Sequence, residues 1–100
     1  MADDPSLAAC TLAELREMLL RMEDDLGLGS FSRVERDMVY ATRDIAQPDG
    51  QFSSQDLRRH TLLAAVPSAT FHRALNRLAE AGYVRLAPGS LARNYVIVDR

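Results

Sequence analysis

Apolar residues near the start of the chain recur every three or four positions, which predicts an amphipathic helix. Thr11 and Glu14 have the spacing of a capping box, and Gly27 is a helix-ending residue, so we predict this helix at 11–26. The recurring apolar residues are Leu12, Leu15, Leu19, Met22 and Leu26. Their alternating spacing is that of a helix that pairs with another helix, and we predict that they join two copies of the chain. An amphipathic helix that packs on its own domain has the same pattern, and both interpretations stay open.

The next helix signal is a second capping box, formed by Ser32 and Glu35. It predicts a helix that runs to about Ala46, with an apolar residue every three or four positions. Gln-Pro-Asp-Gly at 47–50 is a strong turn signal. Residues 51–52 then have room for one short strand.

A third capping box, Ser53 with Asp56, predicts a short helix that ends near Leu62 or Leu63. Pro67 disfavours helical backbone at the residue before it. The stretch before Pro67 is therefore predicted to be a tight connection.

Ser68 is expected to cap the next helix, which we predict at 68–81 with Gly82 as its terminator. Residues 83–86 alternate in polarity like a half-buried strand, and 94–98 are expected to form the returning strand of a hairpin. The expected fold is mainly α-helical with a small β-hairpin.

The helix 68–81 has two chemically different edges. Phe71, Leu75 and Leu78 share one edge and are expected to be buried. The other edge and its flanks carry residues that suit DNA, because Arg and Asn pair with guanine and adenine edges and hydroxyl groups bind phosphate. We name as candidate DNA-binding residues Ser68, Thr70, His72, Arg73, Asn76 and Arg77. A merely solvated helix face is the alternative, since surface arginines often serve only solubility.

Charge divides the chain into an acidic front and a basic back. Residues 1–27 hold seven acids and two arginines, a balance of −5, whereas residues 51–98 hold six arginines and two acids, a balance of +4. We therefore expect an acidic N-terminal segment at 1–29 and a nucleic-acid-binding domain at 30–100.

From Phe31 to Val98 the chain resembles the winged helix-turn-helix domain of bacterial transcriptional regulators, broadly the MarR-like group. The residues that carry this resemblance are the run "PSATFHRALNRLAEAGYVRL" and the hairpin after it. The resemblance implies a recognition helix in the major groove and a wing at about 87–93, whose Arg93 contacts the adjacent backbone or minor groove. It also implies a homodimeric, sequence-specific regulator of transcription that binds double-stranded DNA, with the helix 11–26 in the role of a dimerisation helix.

Other classes of function find little support in the sequence. There is no phosphate-binding glycine loop, no nucleophile with a plausible base and no cluster at metal-ligand spacing, so we expect no catalytic residues, no metal and no cofactor. No signal peptide or membrane-length apolar run is present, which predicts a cytoplasmic protein with no membrane partner. Cys10 is the only cysteine.

The alternative function is a winged-helix protein-interaction module that binds another regulator or the transcription machinery through its acidic N-terminal helix.

Overall fold

The computed structural model describes residues 5–89 and 94–98, which fall into two compact units within Met1–Phe31 and Ser32–Arg100. The first unit holds a single helix, α1 (Pro5–Asp25). The second unit holds α2 (Arg33–Ile45), β1 (Gln51–Ser53), α3 (Ser54–Arg58), α4 (Ser68–Glu80), β2 (Val84–Leu86) and β3 (Asn94–Ile97).

The described part of the chain is mainly helical, with one small antiparallel sheet in the second unit, which confirms the predicted fold class at this level. The strand order is β1-β3-β2, so the last strand lies between the other two. Tyr95 is the centre of the register, because it lies opposite both Phe52 and Leu86. The rings of Phe52 and Tyr95 stack with their centroids 5.8 Å apart.

The predicted start of the first helix is wrong. α1 begins at Pro5 rather than at Thr11, and the Thr11 hydroxyl donates a hydrogen bond to the carbonyl of Leu7 at 3.2 Å instead of capping a helix end. Proline is favoured in the first turn of a helix, and leucine and alanine after it are strong helix formers, so the helix extends through the apparent capping box. The predicted end holds within one residue: Gly27 has a φ of 80°, and its N–H donates to the carbonyl of Asp24.

Two further predicted boundaries need correction. α3 ends at Arg58 rather than near Leu62 or Leu63, and residues 59–66 form a series of turns. Ser68 does not cap α4, because it is already helical and Pro67 occupies the capping position without a side-chain hydrogen bond. The fixed φ of proline suits the entry of the chain into a helix.

The second predicted capping box is confirmed in full, and the third is confirmed only for the hydrogen bond that Ser53 accepts. Ser32 and Glu35 form the full reciprocal capping box at the start of α2, with hydrogen bonds of 2.9 and 3.2 Å. The Ser53 hydroxyl accepts a hydrogen bond from the backbone N–H of Asp56 at the start of α3. Gly82, with a φ of 84°, ends α4 as predicted.

The core of the second unit forms where α2 packs against α3 and α4, and where α4 meets β2. Its buried hydrophobic residues are Met38, Ala41, Phe52, Leu57, Leu63, Phe71, Ala74, Leu75, Leu78, Val84 and Ala87. Among the described residues, every buried side-chain nitrogen or oxygen has a hydrogen-bond partner. None of the helices in that part of the chain combines the length and apolar character needed to cross a membrane.

Replacing Leu78, which is completely buried, with alanine is expected to lower the free energy of unfolding by about 2 to 5 kcal/mol, because it leaves a cavity between α4 and its neighbours. Leu86→Ala is the matched control, since Leu86 is 51% exposed. Urea denaturation followed by circular dichroism measures both. A loss at Leu78 no larger than that at Leu86 would contradict the packing of α4.

Candidate nucleic-acid interface

α4 presents one edge to the core and the other to solvent. Phe71, Ala74, Leu75 and Leu78 are all at most 3% exposed, as the spacing of the apolar residues predicts for three of them. Burial of this edge against α2 fixes how the helix is rotated about its own axis. The residues on the opposite edge are therefore held outward on a rigid element.

The structure brings six of the seven predicted DNA-binding residues together on α4. Thr70 is half-buried, and the others are exposed: Ser68, His72, Arg73, Asn76 and Arg77. Neither Arg73 nor Asn76 is covered by the protein. Arg93 and most of the predicted wing lie outside the described residues.

Arg73 is oriented by a neighbour on the same helix. One of its terminal nitrogens donates a hydrogen bond to the Thr70 hydroxyl at 3.3 Å, one helical turn towards the N-terminus. A guanidinium group has five N–H donors, so this contact uses only a small part of its capacity. Thr70 and Arg73 thus form a polar pair beside the first turn of α4.

The first turn of α4 is open to solvent. Its N-cap is Pro67, no side chain caps it, and Ser68 and Ala69 are exposed. The first N–H groups of a helix have no intrahelical partner, and the helix dipole adds partial positive charge there. Such an end favours an anionic group.

Arg58 holds the connection between α3 and α4 through two contacts that the sequence analysis does not predict. Its guanidinium donates a hydrogen bond to the carbonyl of Leu63 at 3.1 Å and lies 5.2 Å from the ring centroid of Phe71. The sequence carries no signal for this contact, because the three residues come together only in the folded chain. Arg58 therefore links α3, the turns and α4.

His60 provides a second brace for the same connection. Its Nδ1 accepts a hydrogen bond from the backbone N–H of Leu62 at 3.1 Å, so in the neutral ring the proton is on Nε2. Nε2 lies 2.8 Å from a carboxylate oxygen of Asp44 on α2 and donates to it. The turns before α4 are thus anchored to α2 at one side and to α4 at the other.

The remaining arginines near the connection are more exposed. Arg59 lies 3.9 Å from Asp56 across a solvent-exposed pair, which contributes little to stability. Arg85 is exposed on β2, opposite Val96 of β3.

The predicted dimerisation residues lie in the first unit, where Leu12, Leu15, Leu19, Met22 and Leu26 are all exposed.

Neither a metal-binding geometry nor a match to a known protein assigns a function to this chain. Within residues 5–89 and 94–98, no three His, Cys, Asp or Glu side chains group in a way that could hold a metal ion. The chain matches no family model, no curated protein and no solved structure. The chemistry of the exposed α4 edge is therefore the basis for a functional assignment.

Replacing Arg58 with alanine is expected to lower the free energy of unfolding by about 1 to 3 kcal/mol, since it removes a charge-assisted hydrogen bond and a cation–π contact. Arg59→Ala is the matched control and should change stability by less than about 0.5 kcal/mol. Urea denaturation of the two variants checks this. Equal effects would mean that the contacts of Arg58 do not fix the connection.

Proposed function

We propose that the protein binds double-stranded DNA, with α4 in the major groove, and regulates transcription. The observation that carries this proposal is the pairing of a fully buried edge with an exposed Arg73 and Asn76 edge on one helix. A recognition helix needs both properties, because the scaffold must hold it firmly while its side chains reach the bases.

The order of the elements supports a winged helix-turn-helix assignment. α3, a connection of turns and α4 are followed directly by the antiparallel pair β2 and β3, and β1 joins the same sheet. Helix-turn-helix proteins place the second helix of the motif in the major groove while the first crosses the backbone. In this protein α4 takes the place of the second helix, and the segment between β2 and β3 takes that of the wing.

Individual residues can be given roles from their chemistry. Arg73 suits a bidentate contact with the O6 and N7 of guanine, and Asn76 suits the N6 and N7 of adenine. The open first turn of α4 suits a phosphate oxygen, with the hydroxyl groups of Ser68 and Thr70 beside it. Arg77 is assigned to phosphate or base contact.

The charge distribution agrees with this function despite the net charge of −2. The acids are concentrated in residues 1–27, whereas the segment that contains α3, α4 and the sheet has an excess of arginine. A basic face steers a protein towards the DNA backbone. The same proposal assigns Arg93, in the wing, to the adjacent backbone or minor groove, and it implies a protein that works in the cytoplasm.

Titration of labelled duplex DNA at increasing salt concentration tests the proposal. Arg73→Ala is expected to weaken binding to a selected site by about 10- to 100-fold, since a bidentate base contact is lost. Arg77→Ala is expected to reduce the slope of log affinity against log salt by about 1 if it contacts a phosphate. Arg21→Ala on α1 is the control and should leave both quantities unchanged.

The same titration also distinguishes DNA binding from the alternative function, a protein-interaction module. If the wild-type chain shows no affinity for any duplex at low salt, the proposal is wrong, and a protein-interaction module becomes the better assignment. In that case a partner would be held equally well by the wild type and by the Arg73→Ala variant. Selection of bound sequences from a random duplex pool identifies the operator.

A further inference from the structure

Thr70 and Arg73 are joined by a side-chain hydrogen bond on the exposed edge of α4. The Thr70 hydroxyl accepts it from the guanidinium nitrogen Nη2 of Arg73 at 3.3 Å. Thr70 is half-buried and directly precedes Phe71, which is 1% exposed in the core. A threonine side chain is stiff because it is β-branched, whereas an arginine side chain is long and flexible. The hydrogen bond therefore anchors a flexible, exposed group to a fixed one.

No acidic residue on the same turns of α4 competes for this guanidinium. Residues 57–79 contain neither aspartate nor glutamate, so the nearest carboxylate on the helix is that of Glu80, almost two turns away. Arg77 differs from Arg73, because the residue three positions before it is Ala74. Of the two arginines on α4, only Arg73 has a hydroxyl group at this spacing.

The contact leaves one complete two-donor edge of the guanidinium. The group has five N–H donors, and two of them are on Nη2. One hydrogen of Nη2 lies beside that of Nε, and the other lies beside one on Nη1. Whichever of the two is donated to Thr70, the other still forms a pair with its neighbouring nitrogen. Such a pair of donors is what the O6 and N7 of guanine accept.

We propose that Thr70 is a positioning residue that makes Arg73 selective for guanine. The hydrogen bond draws the guanidinium towards the N-terminal end of α4, which is the end that contacts base edges in helix-turn-helix proteins. An arginine that is held in place before binding loses less conformational freedom when it binds. This inference rests on the DNA-binding function proposed above, and it assigns specificity to a residue that need not contact a base.

Removal of the hydroxyl tests the inference. Selection from a random duplex pool with the wild type and with Arg73→Ala identifies the base pair that Arg73 reads, as the position where the variant loses its preference for guanine. Discrimination is the dissociation constant for a duplex with A·T at that position, divided by the constant for the selected duplex. Thr70→Val keeps the β-branched shape, and it is expected to lower discrimination by about 3- to 10-fold, because Arg73 must then be ordered on binding.

Two control variants separate the hydroxyl of Thr70 from other properties of the first turn. Thr70→Ser keeps a hydroxyl at the same position and should retain most of the discrimination. Ser68→Ala removes the other hydroxyl group of this turn and should leave the ratio unchanged, since it weakens binding to both duplexes alike if Ser68 contacts a phosphate.

A double-variant cycle separates positioning from a direct contact of Thr70 with DNA. In an Arg73→Ala background, the loss of affinity for the selected duplex caused by Thr70→Val should be about 3- to 10-fold smaller than in the wild type, because no guanidinium is left to orient. An equal loss in both backgrounds would mean that Thr70 acts without Arg73, and it would overturn the proposal.

Failure of this inference is distinguishable from failure of DNA binding. If the wild type binds no duplex, both proposals are wrong. If the wild type binds a selected duplex but Thr70→Val keeps full discrimination, DNA binding stands and the positioning role is wrong. The same conclusion follows if Arg73→Ala relaxes no base pair, or if Thr70→Ser loses as much discrimination as Thr70→Val.

Discussion

Burial of the apolar edge of α4 is the interaction on which the second unit depends. Phe71, Leu75 and Leu78 close the core against α2, and β2 begins only after Gly82 has ended the helix. Since an α-helix is rigid, burial of one edge determines where every other side chain points. The orientation of Arg73 and Asn76 is therefore a consequence of packing, and the binding edge needs no further device to face outward.

The connection before α4 adds a second constraint. The connection consists of turns rather than a helix or a strand, and hydrogen bonds from polar side chains hold it in place. Arg58 bonds a carbonyl of the connection, and His60 accepts from a backbone N–H while donating to Asp44. Side chains from α2, from α3 and from the connection itself thus hold one short segment in place.

Much of the second unit could be predicted from the sequence, because its signals are local. The Ser32 and Glu35 capping box, the terminating Gly82 and the apolar spacing of α4 each act over one or two turns of chain. The exposed edge of α4 was predictable for the same reason. The DNA-binding function proposed for that edge is inferred from the chemistry of its side chains.

The predictions from sequence are wrong where a local signal competes with another influence. At Thr11 the capping pattern was overridden by the helix-forming residues that precede it. The end of α3 depends on where Arg58 and His60 find partners, and those partners are remote in sequence or on another helix. Glu23 is only 1% exposed although it lies in a run of three acidic residues, and no local pattern indicates its burial.

The small size of the sheet has a consequence for solubility. β1 and β2 are its edges, and each is only three residues long. An edge this short offers too few unpaired backbone groups to template a strand from a neighbouring molecule, which protects against edge-to-edge aggregation.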